Sequence, residues 1–319
     1  MLRIHLSSAD LGRVRVARQP DELWNVALGL QRLRAADGST ALGGWRTWAG
    51  GQVSRTPGGR EAVHRLATVL PSRGYFPDFL TPTRGETTLD AGVRTLLDTP
   101  AERVEAELRL LGDQRWEHTR WVTETGLGDL VGAMTRFHEV AIAPVSRQLR
   151  AVFEAERMVR DRILLDQGVE GLLDSFAPFA RWRAPVLEVD FPVEQELELD
   201  ERGLVLLPSA FCLGRPTSLR DPGLPPVLVY PVAADWSEPK AEAGAIAALI
   251  GPTRQQVLSC IAHSDGGRTT TEIARELGVS TASASQHATV LRNAGLIYSR
   301  RLGNSVLHGP TELGKALSG

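Results

Sequence analysis

Residues 270–308 constrain the fold more than any other stretch, because glycines and a change of period cut them into pieces of fixed length. Over 271–277, Ile273, Ala274 and Leu277 recur at helical spacing, with Thr271 or Thr270 as the cap and Glu272 in the first turn. Gly278 follows the last apolar residue, where a left-handed backbone stops a helix at little cost, and Val279 plugs the bend. Ser280 then caps a second helix that runs to about Ala294, ahead of Gly295. A turn of about three residues between two such helices is the spacing of a helix-turn-helix.

The second helix sorts into two faces at 100° per residue. Ala284, His287, Ala288 and Leu291 share one side; Ala282, Ser285, Gln286, Thr289 and Asn293 share the other. Small residues on the first side let two helices cross closely. The second side is short, polar and uncharged, so it can enter a major groove without desolvating a charge of its own. Gln286 is the candidate base reader, since its amide can make a bidentate contact to adenine.

After Gly295 the period changes. Leu296 to Leu302 reads as a strand, Gly303-Asn304 as a tight turn and Ser305 to His308 as the returning strand, a hairpin wing. Arg300 and Arg301 lie just before the turn, within reach of phosphates or a minor groove. The candidate DNA-contacting set is therefore Thr281, Ala282, Ser283, Ser285, Gln286, His287 and Thr289, with Arg292, Arg300, Arg301 and Asn304 positioning.

The strings EIARELGVS (272–280), SxxSxSQH (280–287), VLRNAGLI (290–297) and RRLGNSVLH (300–308), in this order and spacing, resemble the ArsR-type winged-helix regulators. The resemblance covers about the last 80 residues, from GPTRQQVLSCIA near Ile250 onward. It implies a homodimeric cytoplasmic transcription factor, usually a repressor that leaves its double-stranded operator when an effector binds. The family's metal sensors carry a Cys-x-Cys run on the first helix of the motif, or His and carboxylate ligands on the last helix. Here 271–277 has no cysteine, and Thr311 to Leu317 offers only Glu312, too few donors for a metal. The expectation is thus DNA binding without metal sensing and without a cofactor.

The 319 residues, 42% of them hydrophobic, suffice for two cores, so the chain reads as domains 1–240 and 241–319 joined near WSEPKAE at 236–242. The longest apolar run, AIAALI at 245–250, falls far short of a membrane span, and MLRIHLSSADLGRVRVARQ has charges where a signal peptide needs its apolar stretch. A cytosolic protein is expected. Lysine occurs only at Lys240 and Lys315, and the net charge of −2 excludes a chain that holds nucleic acid by bulk charge. Any DNA site must be local, and a small basic balance after residue 241 supports one.

The leading region reads as α+β, mainly helical with a later antiparallel β meander, ahead of the carboxy-terminal winged helix-turn-helix. Strands are expected at Arg3 to Leu6 and Val14 to Ala17, and helices at 21–34, 60–70, 88–98, 100–111, 127–140 and 144–166. Thr99-Pro100-Ala101-Glu102 has the pattern of a capping box. VLEV, VEQELEL, GLVLLPSAF and PVLVYPV, from Val186 onward, supply four strands. Residues 35–59 are glycine-rich and read as mostly loop, in which Trp45 and Trp48 could wall an apolar effector pocket. YFPDFLTP at 75–82 resembles a motif of regulators that place such a domain before an ArsR-like one; its prolines and aromatics are accounted for by packing.

Catalysis finds no support in the motifs. His138-Glu139 begins like HExxH, but Ile142 occupies the second histidine's place, and no G-x-S-x-G, Walker loop or dinucleotide fingerprint occurs. Cys212 and Cys260 read as buried small hydrophobes. The expected function is a dimeric, DNA-binding regulator, with 1–240 dimerising, sensing an organic effector, or both. Two other readings stay open: a winged-helix protein-interaction module that does not bind DNA, and an enzyme-like sensor domain tethered to DNA.

Overall fold

The computed structural model describes residues 1–35, 42–82, 87–221, 223–233, 245–264, 266–303 and 305–318. The chain divides into two compact units, Met1–Trp236 and Ser237–Gly319. The expected joint at 236–242 lies outside the described residues.

The helices of the first unit are α1 (Ser8–Leu11), α2 (Glu22–Arg34), α3 (Gly43–Arg55), α4 (Gly59–Val69), α5 (Leu89–Leu97), α6 (Ala101–Arg109), α7 (Asp113–Thr125), α8 (Leu127–Phe137) and α9 (Ser146–Asp174). Its spine is α2. Asp21 caps it by accepting from the Leu23 and Trp24 amides, and every residue from Leu23 to Gln31 is buried, as befits a helix enclosed on all sides. The one long polar side chain in that run, Gln31, donates from its amide to the Pro71 carbonyl at 3.0 Å. Between α8 and α9 the chain passes through a π turn at His138–Ile142 and a 3-10 turn at Ala143–Val145 that contains Pro144. His138 of this junction lies 3.3 Å from the Glu22 carboxylate, tying it back to α2.

The strands of this unit are β1 (Leu2–His5), β2 (Arg15–Val16), β3 (Ala180–Arg183), β4 (Val186–Val189), β5 (Gln195–Glu198), β6 (Val205–Ser209), β7 (Thr217–Ser218) and β8 (Val227–Pro231). They form two sheets, in the orders β3-β4-β1-β5 and β2-β6-β8-β7. This corrects the expected antiparallel meander. β1 enters between β4 and β5, antiparallel to the first and parallel to the second, and β6 runs parallel to β8. Alternating apolar residues announce a strand and its inward face but carry no record of its partner.

Other expectations change as well. The glycine-rich stretch holds a helix, α3, not a loop, because Trp45, Ala49 and Val53 fall at four-residue intervals and all three are buried. Thr99 is not a cap: Pro100 occupies the cap position of α6 and no side chain closes it. α7 was not expected; its apolar residues are few, and only Thr119 and Val122 are buried. The helix expected to end near 166 continues to Asp174 across a break at Gly168, whose φ of +73° no β-carbon residue adopts readily.

The second unit comprises α10 (Ala245–Ile250), α11 (Pro252–Ala262), β9 (Arg268–Thr269), α12 (Thr270–Leu277), α13 (Thr281–Asn293), β10 (Ile297–Leu302), β11 (Ser305–Pro310) and α14 (Glu312–Ser318). Its core gathers Val257, Leu258, Ile261, Ile273, Leu291 and Ile297 with the small Ala284 and Ala288. Cys212 and Cys260 are both buried, one in each unit, and both are free thiols. Burial pushes the Cys212 thiol up to about 12 and the Cys260 thiol up to about 11, so neither ionises readily.

Candidate nucleic-acid interface

The two helices of the motif are held by local chemistry at each end. Thr269 caps α12, one or two residues earlier than Thr270 or Thr271: its hydroxyl accepts from the Glu272 amide, and the Glu272 carboxylate accepts from the Thr269 amide at 2.8 Å. Hydrogen bonds donated by the Thr269 amide and hydroxyl hold the Glu272 carboxyl below the usual range. Gly278 ends α12 in the left-handed conformation, at φ +65°. Ser280 then caps α13 by accepting from the Ser283 amide at 3.1 Å.

Ala284, Ala288 and Leu291 are buried on one face of α13, with His287 half-buried beside them. Thr281, Ala282, Ser285, Gln286, Thr289 and Arg292 are exposed, and Ser283 is half-buried next to its cap. The outward face is thus a continuous band of short, uncharged side chains with Gln286 near its middle and a cation at its end.

β10 and β11 pair antiparallel from Ile297↔Pro310 to Leu302↔Ser305, and β9 adds a third strand by pairing with Leu307 and His308. β9 is two residues long and lay below any periodicity signal. Side chains alternate across a strand, so Ile297, Ser299 and Arg301 share one face of β10 while Tyr298, Arg300 and Leu302 share the other. The two wing arginines, adjacent in sequence, therefore point to opposite sides of the hairpin. Both are exposed, and among the described residues no carboxylate pairs with Arg292, Arg300 or Arg301. Asn304, expected at the turn, lies outside the described residues.

Sequence reasoning missed His308 as a structural residue. It is buried, with Nε2 2.9 Å from the Thr270 hydroxyl and Nδ1 2.8 Å from the Ser299 hydroxyl, so it joins α12 to both long strands of the hairpin. Burial, aided by the nearby Arg292 charge, holds its imidazole below the ordinary histidine value.

Trp45 and Trp48, the expected walls of an effector pocket, belong instead to the packed interior of the first unit. Trp45 is 2% exposed, donates its indole N–H to the Ala141 carbonyl at 3.1 Å and packs against the Phe211 ring at 4.6 Å. Trp48 is half-buried against the same core. Once this segment forms a helix, its apolar face has to be covered, and these rings are that face.

Among the described residues no helix is long and apolar enough to cross a membrane. Comparison of the chain with curated proteins and with solved structures returned no match. A helix-turn-helix domain model matches residues 249–300, from the end of α10 into β10. The carboxy-terminal unit carries a helix-turn-helix domain, which points to a DNA-binding transcriptional regulator.

Proposed function

We propose that the protein is a sequence-specific regulator of ArsR-like type that reads double-stranded operator DNA through a winged helix-turn-helix. It acts as a homodimer and represses until an organic effector, not a metal, reaches the first unit. The observation that carries this reading is the exposed, uncharged face of α13, flanked by three arginines without carboxylate partners among the described residues. A protein surface with no such function would usually pair or disperse those charges; a groove-reading one leaves them for phosphates. Gln286 reads a base edge, the hydroxyls of Thr281, Ser283, Ser285 and Thr289 contact bases or phosphates, and Arg292 with the wing sets register.

In-vitro selection of duplexes by the full-length protein, followed by a salt titration on the selected site, tests the reading. The expected result is an inverted repeat with half-sites about one helical turn apart, bound with an affinity that falls steeply with salt. Enrichment of no sequence, together with weak salt-insensitive binding, would replace it with the protein-interaction reading.

A further inference from the structure

The first unit contains a cavity of about 710 Å3 that none of the sequence motifs announces. Four segments line it: the second half of α2, residues 74–78, residues 191–196 leading into β5, and residues 211–220 between β6 and β8. Small-molecule sites occupy some 300–1,000 Å3, so the size fits a ligand cleft. Leu28, Phe76, Phe191, Val193, Phe211 and Leu213 give the walls an apolar and largely aromatic character.

The polar groups of the lining narrow the class of occupant. The Asp78 carboxylate accepts from the backbone amides of Arg220 and Asp221, at 2.9 and 2.7 Å. Ser218 donates to the Val227 carbonyl, Glu196 is held by Arg3 and His5, and Arg215 pairs with Asp190. These groups already have partners within the protein, so recognition falls mainly to the apolar walls. The Tyr75 hydroxyl is shielded from solvent, and the Arg220 guanidinium covers its ring at 5.5 Å.

We infer that this cavity is a binding site for a largely apolar organic molecule with an aromatic ring, which the Phe76, Phe191 and Phe211 side chains meet. As the effector site of a regulator, the inference rests on the DNA-binding reading above. As a binding site, it stands or falls without DNA.

The test titrates the full-length protein, with no DNA present, with N-phenyl-1-naphthylamine, a neutral aromatic probe whose emission rises in apolar surroundings. Saturable binding at one probe per chain is expected, weakened at least tenfold by Leu213→Trp and by Val193→Trp, each of which fills the lining with an indole. Val193 is 57% exposed, so its variant keeps the fold even where Leu213→Trp does not. Absence of saturable binding, or binding unchanged in a folded variant, overturns the proposal. Probe binding by a protein that selects no DNA sequence would keep the site and remove its regulatory reading; the converse would keep the regulator and remove the site.

Discussion

The Nε2 of His308 lies 2.9 Å from the hydroxyl of Thr270, so the returning strand of the hairpin is fastened to the first residue of the first motif helix. With Nδ1 engaged by Ser299, the ring is a three-way joint whose geometry sets the angle between hairpin and helices. Replacing it with alanine leaves two hydroxyls and a void, and should destabilise the carboxy-terminal unit by about 1–3 kcal/mol. Amide hydrogen exchange along β10 and β11, corrected for intrinsic rates, reads the loss directly.

The same residue sets a pH dependence. Its folded pKa is lowered, so below the unfolded value of about 6.5 the unfolded chain binds the proton first and stability falls as the pH drops toward the folded value. Above that range both states hold a neutral ring and the contribution is flat. Hydrogen-exchange protection of the hairpin should therefore decline from pH 7 to pH 5, and His308→Gln should remove the decline. A decline of equal size in that variant would assign it to another group.

Gln286→Ala should weaken binding to the selected operator by about 1–3 kcal/mol and leave binding to unrelated duplexes nearly unchanged. Competition titrations against both kinds of duplex separate the two effects. An equal loss on every sequence would show that Gln286 meets the backbone of the duplex and not a base.

Arg300 and Arg301 should behave unequally, since the strand sends them to opposite faces. Arg301 shares its face with Ile297, which packs into the helical core, and so lies on the side of the motif helices. Arg301→Ala should lower the salt slope of operator binding by about one, as the loss of a single phosphate contact does, with a smaller change for Arg300→Ala. Equal slopes in the two variants would mean that the hairpin straddles the DNA.

Asp78 is a buried carboxyl whose pKa burial raises to about 6, despite two amide hydrogen bonds. A raised folded pKa stabilises the protonated fold, so this contribution is complete below about pH 4 and is lost as pH rises through about 6. Asp78→Asn keeps an acceptor oxygen and removes the charge, and should stabilise the first unit near pH 7 by about 2 kcal/mol. All seven tryptophans lie within Met1–Trp236, so denaturant melts followed by tryptophan fluorescence report on this unit alone. A variant less stable than the parent at pH 7 would show that the second carboxylate oxygen is needed.

The carboxy-terminal unit was the legible part of the chain, and the reason is local. Gly278, Ser280 and Gly295 end or begin helices through their own backbone and side chains, and Ala284, Ala288 and Leu291 lie at a spacing that only a helix satisfies. His308 was not legible, because its partners Thr270 and Ser299 come from other elements and a polar residue in a strand reads as outward-facing. In the first unit most strands could be read, but not β3, the two-residue β7 or the pairing of any of them. Of the aromatics of 75–80, Phe76 packs edge-on to Trp24 at 5.7 Å and Phe79 is fully buried. The cavity beside them was not legible because its walls come from four segments spread between residues 28 and 220, and no local pattern encodes a gap.

The place of β1 inside its sheet has a consequence for synthesis. Leu2 pairs with Val189 on one side and with Gln195 on the other, so the strand has no partner until nearly 200 residues have left the ribosome. At ordinary elongation rates that is a wait of about 10 to 40 s with Leu2 and Ile4 uncovered. The helices around α2 can assemble in the interval, since most of their contacts lie within the first 150 or so residues. The earliest strand to be made is thus among the last pieces to dock, and a holding chaperone would find its natural client in that window.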